Sequence, residues 1–217
     1  KSLQFLIIGV MMNDNSPHWG QRWHDEVSQV HGSNVSVARR QIFLHPSHDS
    51  EDGDPGTDWR MAGTFIKNMN ILQSSGESAI EVHQFNIGGD EESGYAIYDS
   101  IKCCPCPITV ITHGVAASMG SLIPQAADLR ITMPSCCWMI HKGSTGIGNR
   151  PRTEARQWAK WEDYADKRMM AIYAESCQGA EMWEGKDVTS IMPNYLASNK
   201  ALVNATGVVD KGSHIII

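Results

Sequence analysis

Several features that define other protein classes are missing from this chain of 217 residues. It has no run of about 18 apolar residues, the length that a membrane-spanning helix requires. Its apolar opening, residues 3–12, lacks the small-residue cleavage site of a signal peptide. It has no G-x-x-x-x-G-K-[ST] loop for nucleotide phosphates. The net charge is −6, whereas nucleic acid binding needs a basic surface. We therefore expect no membrane span and no nucleic acid partner.

The six cysteines do not form a recognisable zinc motif. Cys103 and Cys106 have the C-x-x-C spacing of a chelating turn, but no second pair with that spacing follows. An acidic, turn-rich stretch at 47–56 lacks the ligand spacing and the final glutamate of a calcium-binding loop, so we read it as a solvated loop. We expect no metal, no other cofactor, and free, buried or half-buried thiols in a reducing, intracellular setting.

Apolar periodicity and turn residues predict an α/β protein in which strands alternate with helices and pair in parallel. The length suits a single domain with a substantial core, and no internal repeat is present. The expected elements are a helix-to-strand transition over 35–44, a helix from Thr57 or Asp58 to about Leu72, strands near 78–86, 108–113 and 130–133, helices near 90–103 and 118–127, and a long helix from Pro151 to about Glu175.

Three short motifs suggest nucleophilic chemistry. Ser118 lies among small residues in the stretch 114–120, which suits a tight strand-to-helix turn that leaves a hydroxyl open to a substrate. His141 ends an apolar run 23 residues later, and an imidazole is the usual base for a serine nucleophile. Upstream, Gly88 and Gly89 follow a predicted strand, where backbone N–H groups can face a ligand without obstruction.

With these motifs the chain resembles the proteolytic subunit of the Clp protease, ClpP, including the divergent copies carried by bacteriophages. The resemblance covers about residues 36–211. The matching segments, in the family's order and near its spacing, are 40–44, 88–89, 94–101, 116–120, 133–135, 139–141 and 207–210. It implies a ClpP/crotonase-like spiral of stacked strand–helix units with a projecting handle helix. Residues 1–34 would form an N-terminal segment with an axial loop and the first helix, and residues 35–217 the protease domain.

The resemblance also implies roles for individual residues. Ser118 matches the family's nucleophile and His141 its general base. Gly89 and Met119 match the positions whose N–H groups form the oxyanion hole.

The third member of the triad depends on the direction of counting. Counting forward from the long helix puts Asp187 at the family's aspartate, whereas counting backward from Tyr195 puts Thr189 there, because this chain carries about two extra residues. Only a carboxylate can stabilise the imidazolium that forms during attack, so we expect Asp187.

The segments that would bind an extended substrate depart from the family pattern. The residues before the glycine pair are 85–87, Phe-Asn-Ile, in place of Asn-Ser-Pro. After the histidine, a glycine-rich run without the family's proline spans 142–148. We expect Gly88, Gly143 and Ser144 to contact substrate. The glycine-rich run is either an edge strand that pairs with peptides or a flexible loop.

The implied function is that of a serine endopeptidase subunit. It would act in the cytoplasm within a self-compartmentalising homo-oligomer, a heptameric ring or double ring, on unfolded polypeptides delivered by an AAA+ unfoldase that supplies the ATP hydrolysis. Its Met and Trp content and the short segment between Ser118 and His141 favour a phage-encoded copy. Two alternatives remain: a non-catalytic ClpP-like subunit of a mixed ring, and a crotonase-type acyl-CoA enzyme.

Overall fold

The computed structural model describes residues 19–44, 56–143 and 148–177 and the backbone of two short strands, 202–204 and 214–215. The α-helices are α1 Trp19–Ser33, α2 Trp59–Ser74, α3 Glu91–Lys102, α4 Met119–Leu122 and α5 Arg152–Cys177, and a single 3-10 turn spans Ile123–Ala126. The strands are β1 Val35–Ser36, β2 Gln41–Leu44, β3 Ile80–Asn86, β4 Ile108–Ala117, β5 Leu129–Thr132, β6 Cys137–Met139, β7 Leu202–Asn204 and β8 His214–Ile215.

The strands form one mixed sheet in the order β1-β2-β3-β4-β5-β8. β2 to β5 are parallel neighbours, and β6 lies parallel to β4, whereas β1 and β7 are antiparallel to their partners. Since α2 connects β2 to β3 and α3 connects β3 to β4, the chain repeats a strand–helix unit with parallel pairing. The predicted α/β class of stacked strand–helix units is confirmed.

β4 has different neighbours along its length. Its first half, Thr109 to Thr112, pairs with β5, and its second half, Val115 to Ala117, pairs with β6. Between the two halves the register with β3 shifts, and Gly114 has a φ of +63°. A Cβ at Gly114 would lie 2.5 Å from the Phe85 ring, so a side chain there would displace the ring, and the positive φ of the bulge favours glycine.

The inner face of β3 changes from apolar to polar along the strand. Ile80 and Val82 are fully buried in the core beneath α2 and α3. Gln84 and Asn86, the next two inward positions, are equally buried but carry amides. The Gln84 amide nitrogen donates to Thr112 Oγ1 at 2.9 Å and to the Gly120 carbonyl at 3.0 Å. Buried amides need such partners, and here they join the strand ends to α4.

The helices begin at conventional caps. The Asp58 side chain accepts the Met61 N–H at the start of α2, and the Asp90 side chain accepts the Ser93 N–H at the start of α3. In α5, the N-terminal half is largely exposed, whereas Met169, Tyr173 and neighbouring residues of its second half are buried against the core. The predicted long helix is therefore largely exposed over its first half and packs against the core over its second half.

Two expected boundaries were wrong, and one expected helix has the expected bounds but is of mixed type. Residues 35–44 are not a helix-to-strand transition: α1 ends at Ser33, Asn34 has a φ of +56°, and β1 and β2 form a tight antiparallel pair. The strand expected over 108–113 continues to Ala117, because the Gly114 bulge lets it take a second partner. The helix expected over 118–127 is one short turn of α-helix followed by a 3-10 turn, because Pro124 lacks an N–H donor.

The cysteines with described side chains are free thiols. Cys106 and Cys136 are buried as expected, whereas Cys103 and Cys137 are exposed, which corrects the expectation of uniformly sheltered thiols. Cys137 lies on β6, whose alternation directs it outward while Trp138 is buried. In the described part of the chain, no cluster of three or more potential ligands could hold a metal ion, and no helix has the length and apolarity to cross a bilayer.

Candidate active site

Ser118 occupies a strained turn between β4 and α4. It is the N-cap of α4, with φ of 53° and ψ of −125°, a conformation that favours glycine. β4 ends directly before Ser118, and α4 begins directly after it and reverses the direction of the chain. The half-exposed Ser118 side chain therefore lies at the tip of this turn. This is the geometry of a nucleophile elbow, in which backbone strain keeps a hydroxyl accessible.

His141 is placed beside Ser118 by the pairing of β4 with β6. Ala117 lies opposite Met139, and the Ser118 N–H donates to the Met139 carbonyl at 2.8 Å. His141, two residues after Met139, therefore lies at the same end of the sheet as Ser118, and its side chain is half-buried. Within the described residues, Ser118 Oγ and the His141 ring make no hydrogen bond to each other. Catalytic hydrogen bonds are commonly long without substrate.

The first glycine of the pair after β3 packs directly on the serine turn, and the second packs on Thr57. Gly88 has a φ of +90° and Gly89 a φ of +148°. A Cβ on Gly88 would lie 2.4 Å from Ser118 Cβ and 2.6 Å from the Ala117 carbonyl oxygen. Only glycine can bring the backbone this close to the serine.

Two residues outside the predicted set hold the glycine turn in place. Asn86 Oδ1 accepts the Gly88 N–H at 2.8 Å and the Thr57 hydroxyl at 3.1 Å. The Thr57 N–H donates to the Gly88 carbonyl at 2.6 Å, and the Thr57 carbonyl accepts the Asp90 N–H at 2.7 Å. Both Thr57 and Asn86 are buried. Since both backbone groups of Gly88 are used within the protein, its own contribution is shape.

Two backbone amides remain available at this turn. The bonds from Thr57 involve the carbonyl of Gly88 and the N–H of Asp90, so the Gly89 N–H faces away from that pairing. Met119 is the first residue of α4, whose N–H has no partner within the helix. Among the described residues, no acceptor is paired with either amide. The N–H groups of Gly89 and Met119 are therefore hydrogen-bond donors without an acceptor in the described structure. They lie on the two segments that meet at Ser118, the turn after β3 and the start of α4.

A hydrogen-bonded relay ties the serine turn to the long helix. The fully buried Ser121 hydroxyl donates to the Ser118 carbonyl at 2.7 Å. Because its one proton is used there, the Tyr173 hydroxyl is the donor in its 2.7 Å contact with Ser121 Oγ. Sequence reasoning missed this link because Tyr173 lies 52 residues away and reads as an ordinary buried aromatic residue.

Of the other predicted site residues, Gly143, Ser144 and Asp187, the structure describes only Gly143. Gly143 is exposed, with open space around it, and no strand is present in the described flanks of the glycine-rich run, 141–143 and 148–151. Ser144 and Asp187 lie outside the described residues. Lys142 forms an ion pair of 3.2 Å with Asp166, so the residue after His141 is tied to α5.

The N-terminal end of α3 beside the glycine turn is strongly acidic. Burial raises the pKa of the Glu91 carboxyl, and like charges raise it further, namely those of Glu162, Glu92, Asp166 and Asp90. At Asp90, burial raises the pKa, but hydrogen bonds from the Ser93 hydroxyl and amide outweigh it, so the net pKa is lowered. The free amides therefore lie next to a negative field.

Replacing Glu91 with glutamine is expected to raise the melting temperature at pH 7 by roughly 1–3 °C. Because the pKa of Glu91 is raised in the folded protein, the native state binds its proton more tightly than the unfolded chain does. Wild-type stability therefore falls as pH rises from about 4.3 through the raised pKa, and Glu91→Gln removes that loss.

Thermal melts from pH 4 to pH 8 check this, with Glu77→Gln, at an exposed loop position, as the control. The gain for Glu91→Gln is expected to vanish at the acidic end of the series. A gain that is constant with pH, or equal in Glu77→Gln, would contradict the electrostatic origin.

Comparisons with known proteins identify the family of the chain. Residues 39–191 match the family model of the Clp protease. The chain is 35% identical over 101 residues to an ATP-dependent Clp protease proteolytic subunit of Deinococcus radiodurans, a match that covers 45% of this chain and 50% of that protein. It is 33% identical over 160 residues to proteolytic subunit 1 of Chlamydia caviae, covering 70% and 76%.

A solved structure has the same fold. A mutant of ClpP1 from Listeria monocytogenes superimposes with a TM-score of 0.65 at 20% sequence identity, covering 83% of this chain and 92% of that one. The Deinococcus match spans half of its relative's length, so that relative as a whole is not represented in the alignment. The family match covers most of the chain, and the chain belongs to the Clp protease family as a divergent member with the ClpP fold.

Proposed function

We propose that the chain is a serine endopeptidase subunit that hydrolyses peptide bonds through an acyl-enzyme on Ser118. The single observation that carries this proposal is the packing of Gly88 against Ser118. It is so close that a Cβ on Gly88 would lie 2.4 Å from Ser118 Cβ. It brings a strained serine, a base on the adjoining strand end and two free amides together at one edge of the sheet.

In the proposed mechanism, His141 removes the proton from Ser118 Oγ as the oxygen attacks the peptide carbonyl. The proton then passes from His141 to the departing amine, and water repeats the two steps on the acyl-enzyme. The carboxylate of Asp187 would hold the imidazole in the required tautomer and stabilise its protonated form.

The N–H groups of Gly89 and Met119 would receive the negative charge that develops on the carbonyl oxygen. Each such donor is worth about 3 kcal/mol of the barrier. The positions of both N–H groups are fixed before substrate arrives. Thr57 and Asn86 hold the turn that contains Gly89, and the N-terminus of α4 holds Met119. Preorganised donors of this kind lower the barrier without a reorganisation cost.

We propose in addition that copies of the chain assemble into a ring or a double ring in the cytoplasm and degrade unfolded polypeptides supplied by an AAA+ unfoldase. Apolar side chains that a monomer leaves in water support assembly: Trp59 is 71% exposed, Phe85 46% and Ile87 45%.

Labelling with a fluorophosphonate, followed by intact-mass measurement and peptide mapping, tests the proposed function. We expect one probe per chain, attached to Ser118, and no addition to the Ser118→Ala variant. Labelling at another residue, or none in a folded and assembled sample, would overturn the assignment and favour a non-catalytic subunit. A thioester substrate that is turned over while peptides are not would favour the crotonase-type alternative.

A further inference from the structure

A groove open to solvent, which we call the cavity, lies between the start of α3 and the first half of α5 and has a volume of about 320 Å³. Its lining combines two carboxylates with two indole rings and one amide: Glu92, Glu154, Trp158, Trp161 and Gln157. Aromatic faces and carboxylates together are the surroundings in which proteins hold ammonium and guanidinium groups. The chemistry of the lining therefore favours a cation.

The cavity is close to the candidate active site. Glu92 lies four residues after Gly88, the residue that packs against Ser118, so their Cα atoms are separated by at most about 14 Å. On the other wall, Asp166 of α5 pairs with Lys142, the residue after His141, and Trp161 lies five residues before Asp166 on the same helix. An extended peptide advances about 3.4 Å per residue. One of the first few residues beside the bond being cut can therefore reach the cavity.

The chain itself shows that this surface accepts a guanidinium. The Arg150 guanidinium carbon lies 4.6 Å from the centroid of the Trp158 ring, the distance of a cation–π contact. Farther along the same helix pair, Arg168 lies 3.9 Å from the Tyr95 ring centroid and forms an ion pair of 3.0 Å with Asp99. An arginine between an aromatic ring and a carboxylate is thus already present in the groove between α3 and α5.

The charge around the cavity is negative on the α3 side. Asp90, Glu91 and Glu92 occupy three successive positions, and Glu162 and Asp166 of α5 lie close enough to act on Glu91. Arg150 lies on the Trp158 ring, and Arg156 and Lys160 of α5 are exposed. The lining residues include two carboxylates, and the Arg150 guanidinium lies over the ring of one lining residue, Trp158.

We propose that this cavity is a specificity pocket for a lysine or arginine side chain of the polypeptide substrate, within the first three residues on the acyl side of the cleaved bond. This inference rests on the proposed peptidase function and adds the class of side chain that the enzyme selects. The carboxylates of Glu92 and Glu154 bind the charge, and the indoles of Trp158 and Trp161 cover the aliphatic stem.

The test uses the assembled, full-length protein and fluorogenic peptides that differ at one position. Arginine, norleucine or glutamate is placed in turn at each of the three residues before the cleaved bond. We expect arginine at one of these positions to raise kcat/KM about tenfold over norleucine, mainly through KM. In Glu92→Gln/Glu154→Gln that ratio is expected to fall to near 1, with the norleucine peptide cleaved as before.

The matched control is Glu77→Gln/Glu175→Gln, which removes two exposed carboxylates and changes the net charge equally. It is expected to retain the preference for arginine. A preference absent at all three positions, unchanged in the cavity variant, or lost equally in the control would overturn the inference.

A binding measurement separates failure of the pocket from failure of the proposed function. Fluorescence anisotropy of labelled arginine and norleucine peptides is measured with the Ser118→Ala protein, which needs no turnover. Tighter binding of the arginine peptide that is lost in Ser118→Ala/Glu92→Gln/Glu154→Gln supports the pocket even if the wild type cleaves nothing. Equal binding of both peptides, in a protein whose wild type is labelled by the fluorophosphonate, removes the pocket and leaves the peptidase.

Discussion

Replacing Ser118 with glycine is expected to abolish peptide hydrolysis and, at the same time, to make the protein more stable. The backbone of Ser118, at φ 53° and ψ −125°, costs a residue with a side chain about 1–3 kcal/mol. Glycine adopts this conformation freely but loses about 0.5–1 kcal/mol more backbone entropy on folding. The expected net gain is about 1 kcal/mol in the free energy of unfolding, or roughly 2–4 °C in melting temperature.

The matched control is Ser118→Ala, which also lacks the hydroxyl but keeps the strain. Both variants are expected to lose labelling and hydrolysis completely, and only the glycine variant is expected to melt above the wild type. Denaturant titration of the three proteins under identical assembly conditions gives the comparison. If the glycine and alanine variants are equally stable, the strain that we assign to the serine turn is not present in solution.

Replacing Gly88 with alanine is expected to have the largest combined effect on stability and activity. The added methyl group would lie 2.4 Å from Ser118 Cβ, 2.6 Å from the Ala117 carbonyl oxygen and 3.0 Å from the Met119 nitrogen. All of these atoms belong to backbone or to the first side-chain carbon, so they cannot rotate away. We expect a loss of about 3 kcal/mol or more, from overpacking and from the φ of +90°.

Gly63 provides the control for this substitution. It lies within α2, and a Cβ there would meet nothing within 4 Å. Gly63→Ala is expected to be neutral or to stabilise the protein by up to about 1 kcal/mol, through its helix propensity. The rate of fluorophosphonate labelling is the second measurement. If Gly88→Ala has wild-type stability and is labelled at the wild-type rate, the backbone at Gly88 and the turn at Ser118 are farther apart than the structure places them.

The local parts of the candidate site were predictable from the sequence, because they depend on contiguous residues. Small residues around Ser118 indicated a tight turn, and two glycines after a strand pattern indicated a backbone open to a ligand. The alternation of strands and helices then predicted parallel pairing, which brings the strand ends to one edge of the sheet. The structure places Ser118 and Gly88 in contact at that edge.

The supporting contacts were not predictable, because they join residues that are far apart in the chain. Thr57 looked like one of two candidate caps for α2. The cap is Asp58, and Thr57 instead holds the glycine turn through three hydrogen bonds. Ser121 and Tyr173 are 52 residues apart. No periodicity or spacing in a single sequence encodes such pairs, since each residue type also suits an ordinary turn or core position.

The partner change along β4 has a consequence for how this chain tolerates sequence divergence. The half of β4 that leads into Ser118 is aligned by β3 and β6, whereas the half before the Gly114 bulge is aligned by β3 and β5. We therefore expect that substitutions along the half of β4 that pairs with β5 can be accommodated by local repacking without changing the direction of the Ser118 side chain. A bulge of this kind would allow the core sequence to diverge between distant relatives while the backbone around Ser118 keeps the same geometry.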